Sequence, residues 1–356
     1  MKKSTAVICL SPNKGGMELA ALKLALILSK QLNITLIIQK NKFMHEQCLK
    51  NEDYKNLNFK TITFKSTLSF SIIFGTRKII KDHDIKNVIF VGASELKSLY
   101  FSFLGLDINL IIRHGTTKST PKKDWFHRLI YSDVNYHVAI SKHLSKNVKK
   151  IVPLTKETKL VTIYPSMPKP ISKKQKTNND NLKLLHVGRI TQGKGLKEAL
   201  QACQILEQHN ISFTLDSNGG MSDKYERKFK FFLNSLSYKE SFNLCGFTNV
   251  IYDEYPKHDI FIFPTKGEGF GNVMMEAISH GIIILSFDNT AISNFKDMGF
   301  HIHLVEDANQ EALKDELLYI AKNLEEEKEQ AYKNIKKAKV IFSSEREIME
   351  YVDLLK

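Results

Sequence analysis

The sequence predicts an α/β protein built from two open, parallel-sheet domains of Rossmann-like type. Three observations carry this: a length of 356 residues, a strand–helix–strand rhythm that runs twice along the chain, and a polar break between the two series. The length suits two domains better than one. An apolar share of 42% is enough for two cores and argues against disorder.

In the first series, short β-branched runs fall at Thr5–Leu10, Ile34–Ile38, Asn58–Phe64, Asn87–Val91 and Ile108–Ile112. Helical patterns lie between them at Met17–Gln31, Phe70–Lys81 and Glu95–Phe103. Near-continuous apolar strands separated by helices indicate a parallel sheet covered on both faces. The rhythm breaks at Pro165–Asn181, where three prolines and four lysines stand without a periodic apolar face. A second series follows, with strands at Lys183–Val187, Ser212–Asp216, Phe242–Leu244, Asp259–Phe263 and Ile282–Leu285. The expected division is a first domain over 1–165, a linker over 166–181 and a second domain over 182–342. Gln310–Lys339 is expected to be one long, solvent-facing helix. Residues 343–356 are expected to form a short helix that packs back on the first domain.

Composition narrows the setting. The four cysteines share no metal or redox spacing and sit in or beside apolar runs, so buried free thiols in a reducing cytosol are expected. The apolar run Ala6–Leu10 after two lysines is about half the length of a signal-peptide core. No stretch approaches the roughly 18 apolar residues of a spanning helix. The expectation is a cytoplasmic protein, peripheral on the inner face of the plasma membrane. The net charge of +14 is one-sided: residues 1–165 hold 27 Lys+Arg against 11 Asp+Glu, leaving 25 against 27 in the rest. Such a field suits a polyanionic partner, an anionic membrane face or a nucleic acid. No helix-turn-helix, zinc-finger or RNP signature supports the nucleic acid.

Parallel sheets place ligands at the carboxyl ends of their strands, and the motifs lie there. Phe263 to Glu276 (FPTKGEGFGNVMME) runs from a strand through Gly267, Gly269 and Gly271 into a helix near Asn272. Glycines allow close backbone approach, and a helix start offers N–H groups to an anion or a sugar oxygen. Glu268 and Glu276 supply carboxylates suited to vicinal hydroxyls. Leu185 to Leu196 (LHVGRITQGKGL) leaves a strand at Val187 and presents Arg189 and Lys194 from a loop with Gly188, Gly193 and Gly195. Two fixed cations there can hold a diphosphate and stabilise its departure. In the first series, Ser11 to Glu18 (SPNKGGME) carries Gly15 and Gly16 after the first strand. It is not a G-x-G-x-x-G, which weakens any nicotinamide-cofactor reading. Asp82-His83-Asp84 closes a lysine-rich helix and reads as a solvated helix end. No His/Cys/Asp grouping has ligand spacing, so no metal is expected.

The segments HVGRITQGKGL and EGFGNVMMEA, the latter with its Glu-x7-Glu spacing, resemble the family 4 glycosyltransferases of the two-Rossmann (GT-B) type. The resemblance is specific in the second half and looser in the first. It implies a cleft between the domains and a retaining, metal-independent transfer from a nucleoside diphosphate sugar, with no separate cofactor. It implies that Arg189 and Lys194, with Gly188, bind the diphosphate. Glu268 would contact the sugar ring, with Gly269, Phe270, Gly271 and Asn272 offering backbone N–H groups. Glu276 would accept the ribose hydroxyls, and the stretch from Gly246 through Phe247 and Val250 would read the base. Gly15 and Gly16 would lie over the phosphates. His114 would face the sugar, and Arg113 would meet an anionic acceptor. Glu268, His114, Arg189 and Lys194 are thus the catalytic candidates.

Thr120 to Tyr131 is expected to form a helix capped by Thr120. Trp125, Phe126, Leu129 and Ile130 make its apolar stripe, flanked by Lys122, Lys123 and Arg128, a composition suited to a membrane interface. With the basic first half, this points to a lipopolysaccharide or other surface-glycan acceptor presented at the cytoplasmic leaflet. A sugar-nucleotide epimerase of the same double fold and a basic nucleic-acid-binding protein are the alternatives.

Overall fold

The computed structural model of the protein describes residues 4–167, 181–248 and 251–355. The chain divides into two compact units, Met1–Pro168 with Ser344–Lys356, and Lys169–Ser343.

The first unit alternates strands and helices in chain order: β1 (Ser4–Cys9), α1 (Gly16–Ser29), β2 (Asn33–Gln39), α2 (Phe43–Lys50), β3 (Phe59–Ile62), α3 (Phe70–Asp82), β4 (Ile85–Val91), α4 (Leu96–Phe103), β5 (Asn109–His114), α5 (Trp125–Ile130), β6 (Val134–Ala139), α6 (Lys142–Ile151) and β7 (Lys159–Thr162). The strands form one parallel sheet ordered β3-β2-β1-β4-β5-β6-β7. Its central strands are buried on both faces; Ala6, Val7, Ile8 and Cys9 of β1 are fully enclosed. One core packs α1 and α2 against the sheet, and another packs α3 and α4 against its opposite face, because alternate residues of each strand point to opposite faces.

The second unit contains β8 (Leu182–Val187), α7 (Leu196–Gln208), β9 (Phe213–Asn218), α8 (Asp223–Asn234), β10 (Phe242–Gly246), β11 (Ile260–Ile262), α9 (Asn272–His280), β12 (Ile283–Asp288), α10 (Ser293–Asp297), β13 (His303–Glu306), α11 (Gln310–Lys322) and α12 (Leu324–Ile341). Its sheet is parallel throughout, ordered β10-β9-β8-β11-β12-β13. In both sheets the order reverses beside the first strand, between β1 and β4 and between β8 and β11. These are the switch points at which open α/β sheets leave a crevice for ligands.

The last helix, α13 (Ser344–Leu354), belongs to the first unit. Tyr351 is fully buried there and Ile348 nearly so. Asn109 donates to the Leu354 carbonyl at 2.7 Å, and the Ser166 N–H donates to Glu347 Oε2 at 2.8 Å. Hydrogen bonds as well as apolar packing therefore return the tail to this unit.

Several local expectations change. Gln310–Lys339 is two helices broken at Asn323, and neither is wholly solvent-facing: Leu313, Leu317, Ile320 and Ala331 are fully buried. The helix around Trp125 starts at residue 125, not near Thr120. The Asp124 carboxylate accepts from the His127 N–H at 3.1 Å and caps it, while the Lys122 N–H is taken by the Ile151 carbonyl. Cys9, Cys48 and Cys203 are buried, but Cys245 is exposed because β10 is the sheet's edge strand.

Candidate functional site

The two motifs of the second unit follow β8 and β11, the adjacent strands at its switch point. Their loops are interlocked. Thr265 Oγ1 donates to the Gly193 carbonyl at 3.1 Å, and the Lys266 N–H donates to the same oxygen at 3.0 Å. Gly195 has φ +80°, and a β-carbon there would meet the Pro264 carbonyl oxygen at 2.3 Å. Only glycine lets the strands' exit loops approach this closely. His186, fully buried, links Ser217 Oγ at 3.2 Å to the Lys194 carbonyl at 2.8 Å. Burial lowers its pKa to about 4, so the ring is a neutral spacer.

On this frame Lys194 and Glu268 form an ion pair, Nζ to Oε1 at 2.6 Å, with side chains 26% and 15% exposed. The single Thr265 hydroxyl proton is shared between the Gly193 carbonyl and the same carboxylate oxygen, 3.2 Å away, and the Glu268 N–H donates to Thr290 Oγ1 at 2.9 Å. Backbone and carboxylate are thus both fixed, and the ammonium is held at the loop's mouth. Arg189 is exposed and makes no ion pair among the described residues. Gly188 lies at the end of β8, where its N–H donates to the Asn218 carbonyl at 3.0 Å.

Beyond the loop, Gly271 takes φ +91° and caps α9; its carbonyl accepts from the Met274 and Met275 N–H groups, and the N–H groups of Asn272 and Val273 before them have no acceptor within the helix. Asn272 at that start is exposed, whereas Phe270 is buried against Phe295 and Phe342 and presents no side chain to a ligand. Gly269 is half-buried. Glu276, one turn into α9, accepts from Tyr255 Oη at 3.0 Å and Tyr252 Oη at 3.3 Å. The two phenols orient its carboxylate. Burial and the neighbouring carboxylate push the Tyr255 phenol's pKa well up, keeping it a donor. These tyrosines escaped the sequence reading. Their signal is the i, i+3 spacing in Ile251-Tyr252-Asp253-Glu254-Tyr255, just before β11. Phe247 is 65% exposed after β10, and Val250 lies outside the described residues.

In the first unit, Gly15 caps α1 and Gly16 opens it. Glu18 is nearly buried below them, and a β-carbon on Gly15 would come within 3.1 Å of its Oε2. Glu95, also buried, follows the other strand of this switch point and went unnoticed in the sequence. Glu18, Glu95 and Arg113 all act electrostatically on Cys9, whose thiol burial pushes up to about 12. His114 ends β5 but is 3% exposed, and its Nε2 meets His137 Nδ1 at 2.8 Å. Burial lowers the pKa of His114 well below its ordinary value and that of His137 to about 3. Arg113 is 4% exposed. His114 is therefore a neutral, enclosed ring and not an open base, because β6 brings a second imidazole onto it. Asp82 and Asp84 are exposed at the end of α3.

Spacing shows no such grouping, but the fold brings side chains of ligand type together: the ring nitrogens of His301 and His303 and a carboxylate oxygen of Glu327 lie within 4.8 Å of one another. Residues 24 to 26 apart in sequence are joined there by the return of α12 over β13.

Two parallel Rossmann-like domains of this kind define the GT-B fold of glycosyltransferases. Residues 169–338, almost the whole of the second unit, match the family described as Glycosyl transferases group 1. The chain is similar to an uncharacterized glycosyltransferase of Haemophilus influenzae, with 24% identity over 62% of each chain. It is also similar to the capsular polysaccharide biosynthesis glycosyltransferase CapH of Staphylococcus aureus, with 25% identity over 34% of this chain and 36% of that one. The chain thus spans less than two thirds of the length of these relatives. Among solved structures, a glycosyltransferase from Rickettsia africae superposes with a TM-score of 0.84 at 16% identity, covering 100% of this chain and 99% of that one. Anabaena HepE in complex with UDP superposes with a TM-score of 0.81 at 14% identity, covering 99% of both.

Proposed function

We propose that the protein transfers a sugar, with retention of anomeric configuration, from a nucleoside diphosphate sugar to a lipopolysaccharide or other surface-glycan acceptor at the cytoplasmic membrane face. The observation that carries this is the Lys194–Glu268 pair, locked at the mouth of the β8 and β11 loops. The UDP in the HepE structure and the capsule role in CapH's name support the donor and acceptor classes.

The donor's diphosphate draws Lys194 and Arg189 to itself. Glu268 turns to the sugar hydroxyls, and Glu276, aimed by two phenols, takes the ribose. The anomeric C–O bond breaks with its electron pair leaving on the diphosphate, where the cations stabilise the developing charge. The acceptor oxygen bonds the anomeric carbon on the same face, and its proton passes to the departing phosphate oxygen. This chemistry uses no metal.

Membrane attachment of the first unit is part of the proposal. Trp125 is 77% exposed and Leu129 40%. Nearby, a pocket of about 520 Å³ is lined by Lys123, Arg128, Lys149 and residues 152–155. Exposed aromatic and basic groups together suit an anionic glycolipid. No helix among the described residues is long and apolar enough to cross a membrane.

The test is calorimetry against a panel of nucleoside diphosphate sugars, followed by transfer assays with Glu276→Ala and Lys194→Ala. Both variants should keep the native circular dichroism and lose transfer. Full activity in both overturns the assignment, and a product that is an isomerised sugar nucleotide would make the protein an epimerase.

A further inference from the structure

The cluster on the far side of the second sheet has no part in donor binding. His303 opens β13, at the amino end of a parallel strand, whereas the donor loops leave the carboxyl ends of β8 and β11. His301 Nε2 lies 2.6 Å and His303 Nε2 2.9 Å from the same oxygen, Glu327 Oε2. On its other nitrogen, His303 Nδ1 lies 2.6 Å from Glu316 Oε1.

Proton counting exposes a shortage. Ionised carboxylates only accept, and a neutral imidazole has a single N–H. His303 therefore cannot serve both Glu316 and Glu327 unless it carries a second proton or an ion takes that proton's place. Its ring is 8% exposed and Glu327 is 5% exposed. Two ring nitrogens converging on one oxygen, instead of dividing between two, are arranged around a point. We propose that this point holds one divalent transition-metal ion of the zinc class, bound by His301 Nε2, His303 Nε2 and Glu327.

The surroundings have the features of a metal centre. Glu316 accepts from His303 Nδ1, which fixes the tautomer that leaves Nε2 free to ligate, the usual carboxylate–histidine–metal relay. The backbone of His301 is clamped by Asn334, whose Oδ1 accepts from its N–H at 2.9 Å and whose Nδ2 donates to its carbonyl at 2.8 Å. Asn334 and Glu327 share α12, so both ligand-bearing segments are referenced to one helix. Two imidazoles and a carboxylate suit zinc better than magnesium or calcium. Bond lengths of about 2.0–2.2 Å place tetrahedral ligands roughly 3.4 Å apart, so Glu327 needs to separate from the two rings, now at 2.9 and 2.6 Å, by less than about an ångström. The His301 ring is 42% exposed, leaving room for a water as fourth ligand. The ion would pin β13 and its leading loop to α11 and α12, with no role in sugar transfer.

The full chain, purified without a histidine tag and stripped with chelator, is titrated separately with Zn²⁺, Co²⁺ and Mg²⁺. Expected are one equivalent of Zn²⁺, a tetrahedral d–d visible band with Co²⁺, no response to Mg²⁺, and a rise in Tm with Zn²⁺. His301→Ala, at an exposed ring, should keep the native circular dichroism and bind Zn²⁺ at least 10-fold more weakly; Glu327→Gln should abolish the cobalt band. Substoichiometric binding by the native protein, or unchanged affinity in both variants, overturns the proposal and makes the cluster a protonated imidazolium bridge.

Discussion

Lys194→Met tests the donor site most directly. The ammonium lies 2.6 Å from Glu268 Oε1 and is 26% exposed. In such a setting the bare attraction between unit charges about 4 Å apart is of the order of 4 kcal/mol. Desolvation and the loss of the resting pair leave a net charge-assisted contact to a phosphate of about 1.5–3 kcal/mol. That corresponds to a dissociation constant for the preferred nucleoside diphosphate raised roughly 10- to 150-fold. Folding should suffer far less. Glu268 keeps the Thr265 hydroxyl at 3.2 Å, and a partly exposed ion pair contributes no more than about 1 kcal/mol. Titration calorimetry and thermal unfolding on the same samples measure both quantities. The companion change Glu268→Gln separates the roles: it frees the ammonium, so diphosphate affinity should hold or tighten while sugar transfer falls more than tenfold. A Lys194→Met protein that binds the nucleotide within twofold of the native one would refute the reasoning.

The remaining expectations follow from neighbouring contacts. Gly195→Ala places a β-carbon 2.3 Å from the Pro264 oxygen at φ +80°, so it should lower stability by at least about 2 kcal/mol and impair donor binding; Gly193→Ala, with open space around it, should be neutral in denaturant melts. Tyr255→Phe removes the closer phenol from Glu276 and should cost about 1 kcal/mol of stability, with a several-fold loss of nucleoside affinity seen by calorimetry. His114, His137 and His186 have pKa values lowered by burial, so below about pH 6.5 the unfolded chain binds protons that the folded chain refuses. Stability is accordingly full above that pH and falls on acidification from about pH 6.5 towards 4, by up to about 1.4 kcal/mol per pH unit for each ring; chemical unfolding across this range should show a loss that shrinks in His137→Gln.

The alternation of elements and the site loops were legible because their signals are local. Strands such as Val7–Cys9 are apolar on both faces, and glycines mark the turns after β8 and β11. What the sequence hid depends on contacts between distant segments. Tyr252 and Tyr255 acquire meaning only when a short turn lays them against Glu276. The break at Asn323 is decided by the burial of Leu317 and Ile320 on one side and Ala331 on the other, which a continuous Glu/Lys/Ala pattern does not announce. His114 ends β5, after the apolar run 108–112, and its enclosure by His137 on β6 is a contact between strands that no local pattern announces. The metal-type cluster draws ligands from β13, its leading loop and α12, so no spacing rule could find it.

The resting ion pair bears on how such a site discriminates. A lysine left alone at a loop mouth would attract any polyanion, and inorganic phosphate would compete with the donor. Here the ammonium is already neutralised by Glu268, so a ligand must offer the carboxylate something in return for the cation. A sugar linked to the diphosphate does this, since its hydroxyls donate to the freed carboxylate while its phosphates take the lysine. Inorganic phosphate supplies only half of the exchange and leaves Glu268 short of a partner, at the cost of an unpaired, partly buried charge. Selectivity for the intact donor over its separated parts would then arise from the pair itself, and Glu268→Gln should weaken that selectivity even where it strengthens binding.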